Sequence, residues 1–417
     1  MPRGNTRHSV FVAPYPIYCA RGAGSRVWDV DGVERLDFVN NYSALIHGHG
    51  SPQVLRAMES QASRLIAVGM PTEVEIGLAE LLCERIESVE QIRFTNSGTE
   101  AVMMAVKAAR AFTGKPAVAK FEGCYHGTYD FVEISQAPGE SAWGPDGSPA
   151  SVALSVGTPA EVAESTVVLP FNDVGATARI LSERKKDLAA IIVDAAPSHL
   201  GYLPVSGEIF KLLREFADAE RALLILDEVY SLRLDAGGAQ RRLGVKPDLT
   251  VMGKIIGGGL PVGAVGGRAE IMAVFDPLPT RAAVAHGGTF NANPLTMAAG
   301  EASMRAYTEK EVARLEELGT YARTQLQHIA KTRGLPIIVG GLGSLISITF
   351  SATPLRNYRD RARLASHKHQ ILSLYRGMLD RGIFIAPHGL IVLSTAMERN
   401  DIDHLLTAFD ATLADLK

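Results

Sequence analysis

The sequence predicts an α/β protein with a large domain around a mostly parallel seven-stranded sheet and a smaller α+β domain. Three observations predict it. From about residue 91, short apolar, β-branched runs alternate with longer stretches of helical period, as in a parallel sheet joined by crossover helices. After residue 296 the texture changes to long helical periods with only a few strands. At 417 residues the chain is long enough for one large domain and a companion.

Taken in order, the first 45 residues hold two short strand candidates, RVWDVDG and LDFVN, expected to pack with the C-terminal part. The expected division is therefore 1–45, 46–295 for the large domain and 296–417 for the small one. Seven runs read as buried strands: QIRFT (91–95), PAVAKF (116–121), STVVLP (165–170), AAIIVDA (189–195), ALLILDEV (222–229), DLTVMG (248–253) and PVGAVGG (261–267). Between them, TEAVMMAVKAARAF places Val102, Ala105, Val106, Ala109 and Phe112 on one helical face, with Gly114 as its stop. GEIFKLLREFADAE does the same with Ile209, Leu212, Leu213 and Phe216. Residues 135–164, rich in Gly, Pro and Ser, read as a long loop of the kind that usually has a function. Toward the end, four helical stretches alternate with the strand candidates IIVGG, LISITF, IFIAP and LIVLS.

Charge and composition narrow the partners. With 42 Lys+Arg against 45 Asp+Glu and no basic tract, neither nucleic acid nor a membrane surface is expected. The apolar stretch 255–267 is broken by glycines and a proline, well under the roughly 20 residues a span needs. Cys19, Cys83 and Cys124 are too few and too scattered for a disulfide framework, so a cytoplasmic setting is expected. His47 and His49 in HGHG have no Cys or carboxylate in register, and no metal is assigned. Around Lys254, Asp248 stands where a P-loop needs its first glycine and Ile255 where it needs Ser or Thr. The neighbouring glycines never reach the spacing of a dinucleotide fingerprint.

The informative residues lie at strand ends, where α/β proteins place ligands. FTNSGTE ends a strand and opens a helix, so Ser97, Gly98 and Thr99 can offer hydroxyls and N–H groups to a phosphate; alone, they also read as an ordinary helix cap. Asp227 closes an apolar strand, where an unpaired carboxylate is costly to bury, and needs a cationic partner or a loop to cap. Lys254 ends another strand just before glycines that admit a flat ligand, although a lysine there also reads as a surface residue. A phosphate site, a carboxylate for a pyridinium and an amine for a Schiff base together describe pyridoxal phosphate.

FTNSGTEA, FEGCYHG, ILDEV, PDLTVMGK and HGGTFNANP, in this order and spacing, resemble the class III aminotransferases of fold type I, a group that includes glutamate-1-semialdehyde aminomutase. The likeness covers nearly the whole chain. It implies a fold type I transferase in which Lys254 carries the cofactor, Asp227 pairs with the pyridine nitrogen and Val229 packs on one ring face. Tyr125 would stack on the other face with His126 beside it, Ser97, Gly98 and Thr99 would bind the phosphate, and Asn172 would stand behind these contacts. Thr289 would reach the phosphate of the neighbouring subunit, which implies a homodimer. Where the family has a Glu-Pro pair after the fourth large-domain strand, this chain has Asp194 and Ala195.

Transamination and aminomutation share their proton transfers, so these motifs do not separate them. The C-terminal turn IAPHGLIVLS lacks the acid that aminomutases resembling this chain carry there. Arg233, six residues after Asp227, and Arg7, six before Ala13, instead resemble the aromatic β-amino acid aminotransferases. Arg7 is then a candidate carboxylate clamp, or else a solvated arginine on a terminal arm. His388 stands where that subgroup has a second arginine. The expected partners are a small amino donor and a carbonyl acceptor. An aminomutase or racemase, and a non-catalytic binding protein, are the alternatives.

Overall fold

The computed structural model describes residues 1–278, 282–364 and 368–416. Two compact units result. One comprises residues 53–309 and 355–363, the other 1–52, 310–354 and 364–417.

The first unit is built on seven strands: β1 (Gln91–Thr95), β2 (Ala117–Phe121), β3 (Thr166–Leu169), β4 (Leu188–Asp194), β5 (Leu223–Asp227), β6 (Leu249–Gly253) and β7 (Gly263–Gly267). Each falls within two residues of the apolar run that predicts it. They lie in the order β1-β7-β6-β5-β4-β2-β3, with β7 antiparallel to both neighbours and the other adjacent pairs parallel. Strands covered on both faces have no polar side to show, which is why β2 to β7 are buried at every position.

Helix α1 (Gly98–Thr113) lies on this sheet. It buries Val102, Ala105, Val106 and Ala109 against Val118, Ile192, Ile225 and Val251. Each such Val or Ile contributes about 1.5–3 kcal/mol over its exposed state. Gly114 ends the helix at φ 69°, a conformation that suits glycine. Phe112 departs from the expected face: it sits in the last turn and is 40% exposed.

The stretch expected as a loop, 135–164, contains two short helices, Glu140–Ala142 and Ala160–Glu164. It is held by a strap that arrives much later in the chain. Arg359, 5% exposed, makes a two-pronged bond to Glu122 (2.9 and 3.0 Å) and also donates to the carbonyls of Trp143 and Gly144 and to Asp146. Tyr358 donates to the Pro138 carbonyl at 2.8 Å. Its ring packs on Gly123, at φ 79°, where a side chain would collide with it.

In the second unit, strands Cys19–Ala23, Arg26–Asp29 and Glu34–Asp37 form a sheet with Ile383–Phe384. A three-stranded sheet joins Ile337–Leu342, Leu345–Phe350 and Leu390–Val392. Just after Asp37 the backbone does something unusual for L-residues. Asn40, Asn41, Tyr42 and Ser43 all have positive φ, at 48°, 48°, 53° and 82°. Left-handed backbone costs roughly 1–2 kcal/mol per ordinary residue, less for Asn. The root of the turn is pinned accordingly. Asp37 Oδ1 accepts from the N–H groups of Val39 and Asn40, and the buried Asn40 amide donates to the carbonyls of Asp37 and Val392. Among the described residues no helix is long and apolar enough to cross a membrane.

Candidate active site

The parallel strands of the first unit converge their C-terminal ends on one edge, which carries Thr95, Phe121, Asp194, Asp227 and Gly253. Asp227 is 4% exposed. Its Oδ1 accepts from the Val229 N–H at 3.0 Å, and its Oδ2 lies 2.8 Å from His126 Nδ1. A carboxylate only accepts, so the His126 proton sits on Nδ1. Burial pushes the His126 pKa down against the pull of Asp227, which favours the neutral ring. His126 Nε2 is buried with no hydrogen-bond partner.

Asp194 pairs in register with Asp227 on the adjacent strand and is 5% exposed. Burial, then the nearby Asp227 charge, hold its carboxyl well above the usual carboxylate range, opposed by the Ala196 N–H that Oδ1 accepts and by Lys254. The next acid, Glu228, does a different job. It is fully buried and accepts from the Ala239 N–H, the Gln240 N–H and the Gln240 side-chain amide, fixing the turn into Gly238–Leu243.

Lys254 follows β6 with φ 50°, a conformation a lysine adopts only when its surroundings impose it. Burial lowers its pKa to about 8, opposed by Asp227 and Asp194. Its Nζ lies 4.0 Å from the centroid of the Tyr230 ring. Val229 packs between two glycines, and a Cβ on Gly98 would meet its methyls at 3.1 and 3.3 Å.

At the start of α1, Ser97 Oγ accepts from the Glu100 N–H while Glu100 accepts from the Asn96 N–H. These two bonds leave the positive helix end facing the same strand edge. Thr99 Oγ1 accepts from the Thr128 N–H, and Gly127, at φ 93°, lies against it. Tyr125 stacks on His199, with ring centroids 5.1 Å apart at 23°. The turn bearing Thr289 is tied beside the helix end by Asn96, which donates to Asn291 at 2.8 Å; Thr289 itself is exposed. Asn172 engages Pro204 and Ser206 instead of the Asp227 surroundings. Arg233 is 1% exposed, and burial lowers its pKa against the influence of Tyr307, Tyr202 and Tyr230.

Arg7 and His388 belong to the second unit. Arg7 Nη1 donates to Asn41 Oδ1 at 2.9 Å, and His388 lies parallel to the Tyr42 ring, 6.3 Å away at 6°. His47 and His49 are engaged by Thr395 and Asp37. Sequence reasoning missed Tyr230, His199 and the His126–Asp227 bond. Tyr230 was the most accessible of these, since it directly follows the Asp-Glu-Val run.

A buried carboxylate backed by a neutral imidazole, a lysine of lowered pKa and a helix N-terminus, with glycines leaving space around Val229, fit a pyridoxal phosphate enzyme. The chain belongs to the class III aminotransferases: the family model for aminotransferase class-III matches residues 8–413. It is 42% identical over 381 residues to the glutamate-1-semialdehyde 2,1-aminomutase of Ignicoccus hospitalis, covering 90% of this chain and 86% of the relative. It is also similar to an omega-transaminase from Sphaerobacter thermophilus (50% identity, TM-score 0.97, 100% of this chain and 94% of that one). A β-phenylalanine aminotransferase from Variovorax paradoxus is similar too (34% identity, TM-score 0.89, 100% and 91%). The chain is thus a pyridoxal-phosphate-dependent enzyme with the fold type I architecture.

Proposed function

We propose that this enzyme is an aminotransferase that takes its amino group from a β-amino acid or related amine and passes it to an oxo-acid or other carbonyl acceptor. The observation that carries the reading is the C-terminal turn, where His388, not an acid, packs beside the Tyr42 ring. The likeness to an omega-transaminase and a β-phenylalanine aminotransferase supports it. An aminomutase of the glutamate-1-semialdehyde type is the second reading, favoured by the names of the curated relatives. Incubation with an amine donor and separate carbonyl acceptors tests the choice. Net transfer between molecules is expected; isomerisation of glutamate-1-semialdehyde without transfer would favour the second reading.

Bound pyridoxal phosphate supplies an electron sink for the carbanion left when a substrate loses its proton. In this reading Asp227 sets a negative charge against the pyridine nitrogen, and His126, as a neutral donor, orients that carboxylate without cancelling its charge. Lys254 would hold the cofactor and serve as the base that moves the proton; an amine with a pKa of about 8 is a usable base near neutrality. Ser97, Gly98 and Thr99 would bind the phosphate, Val229 and Tyr125 would flank the ring, and Arg233 would support the donor side.

Arg7 clamps the donor carboxylate. β-Phenylalanine and 1-phenylethylamine differ only by that carboxylate group, so Arg7→Ala is expected to raise the KM for the first selectively. The loss is about 1.5–3 kcal/mol, typical of a hydrogen bond to a charged group. Steady-state kinetics with both donors checks this, and equal effects would refute the clamp.

A homodimer is part of the proposal. Supporting it, Ile66, Met70, Ile76 and Phe290 of the first unit are large apolar side chains left 53% to 70% exposed. Asn293, four residues after Thr289, donates to the Ile66 carbonyl, which ties the turn bearing Phe290 to Ile66. Sedimentation at assay concentration is expected to give a dimer; an active monomer would contradict it. A cytoplasmic setting belongs to the same reading and accords with three free cysteines.

A further inference from the structure

The left-handed turn at residues 40–43 carries two side chains whose contacts all lead toward proposed substrate residues. Asn40 and Ser43, at its ends, are fully buried, whereas Asn41 is exposed and Tyr42 half-buried. From this fixed root Asn41 Oδ1 accepts from Arg7 Nη1 at 2.9 Å. The Tyr42 hydroxyl donates to the Ser9 carbonyl at 2.6 Å, two residues further along the same arm. The Tyr42 ring also lies parallel to His388, 6.3 Å away.

We propose that Asn41 and Tyr42 are positioning residues that hold Arg7 and His388 as one carboxylate-reading face. The proposal rests on the reading of Arg7 as the clamp. An arginine on an exposed arm loses much of its freedom when it grips a ligand. Two anchors, at Arg7 and Ser9, remove that freedom beforehand. One of the five guanidinium N–H donors is taken by Asn41, and the planar fork is thereby oriented while the residue as a whole stays exposed. The backbone conformation explains why this requires such a turn. In an ordinary extended segment Asn41 and Tyr42 would point to opposite faces, whereas successive left-handed residues turn both side chains to the arm. Strained backbone of this kind persists where the surrounding structure over-determines it, as the Asp37, Asn40 and Val392 hydrogen bonds do here.

The test uses Asn41→Gly, because glycine takes a φ of 48° without strain and only the amide is lost. Tyr42→Phe removes the Ser9 bond and keeps the ring beside His388. Each is expected to raise the KM for β-phenylalanine about three- to tenfold, with kcat nearly unchanged and the KM for 1-phenylethylamine unaffected. Affinity for 3-phenylpropionate, a carboxylate with no amine to react, should fall by a similar factor in a fluorescence titration. In an Arg7→Ala background, Asn41→Gly should add nothing. If Arg7→Ala is selective for the carboxylate donor but Asn41→Gly is silent, or if the two effects add in full, the positioning role is overturned and the clamp stands. If Arg7→Ala affects both donors equally, the clamp itself fails and this proposal with it.

Discussion

Lys254→Ala is expected to lower turnover by at least about three orders of magnitude, the upper range for removal of a positioned proton-transfer group, since the same side chain also holds the cofactor. Borohydride reduction of the wild-type holoenzyme followed by peptide mapping should place the label on Lys254, and label on another lysine would end the assignment. A pH dependence follows. Because burial lowers the Lys254 pKa to about 8, the amine becomes neutral at lower pH than an exposed lysine would. The rate at which cofactor-depleted enzyme recaptures pyridoxal phosphate should therefore rise as pH approaches 8 and level off above it. A rate still climbing steeply at pH 10 would show a lysine of ordinary basicity.

Asp227→Asn should leave the fold largely intact and cut turnover by about two to three orders of magnitude, the usual effect of removing one preorganised charge-stabilising group. The shape is kept, so the Val229 N–H still finds an acceptor. The charge is lost. An Asn amide facing His126 Nδ1 also favours the other imidazole tautomer, a second disturbance at the same place. Asp194 modulates the result, because part of what raises its pKa is the Asp227 charge. With that charge removed Asp194 ionises more readily and supplies some compensation. Asp194→Asn added to Asp227→Asn is accordingly expected to be worse than Asp227→Asn alone. Activity of Asp227→Asn within a few-fold of wild type, measured beside an unchanged circular dichroism spectrum, would make this aspartate purely structural.

These residues differ in how far the sequence exposed them. Strands such as Leu188–Asp194 are legible because a strand buried on both faces must be an unbroken apolar run, and an acid closing such a run marks a strand end. Lys254 and Asp227 stood out for that reason. The His126–Asp227 bond joins residues 101 apart, and the Asp194–Asp227 pairing depends on strand register; neither leaves a local mark. Helix Ala160–Glu164 spans five residues, too few for a helical period to show in what reads as a loop. Residues 40–43 carry no glycine, the usual sign of left-handed backbone, so little in the sequence marks their conformation. The Asn pair there was the only hint.

The late strap bears on how the polypeptide emerges from the ribosome. All seven strands of the large sheet have been synthesised by Gly267, but the partner of the buried Glu122 arrives only with Arg359. Until then the nascent sheet holds a carboxylate without its guanidinium, and breaking such a buried pair costs about 3–5 kcal/mol. Vectorial folding of this sheet therefore cannot finish domain by domain. It waits for more than 90 further residues, about half of which belong to the other unit, and a gene fragment cut at residue 309 would encode a sheet arrested at that stage.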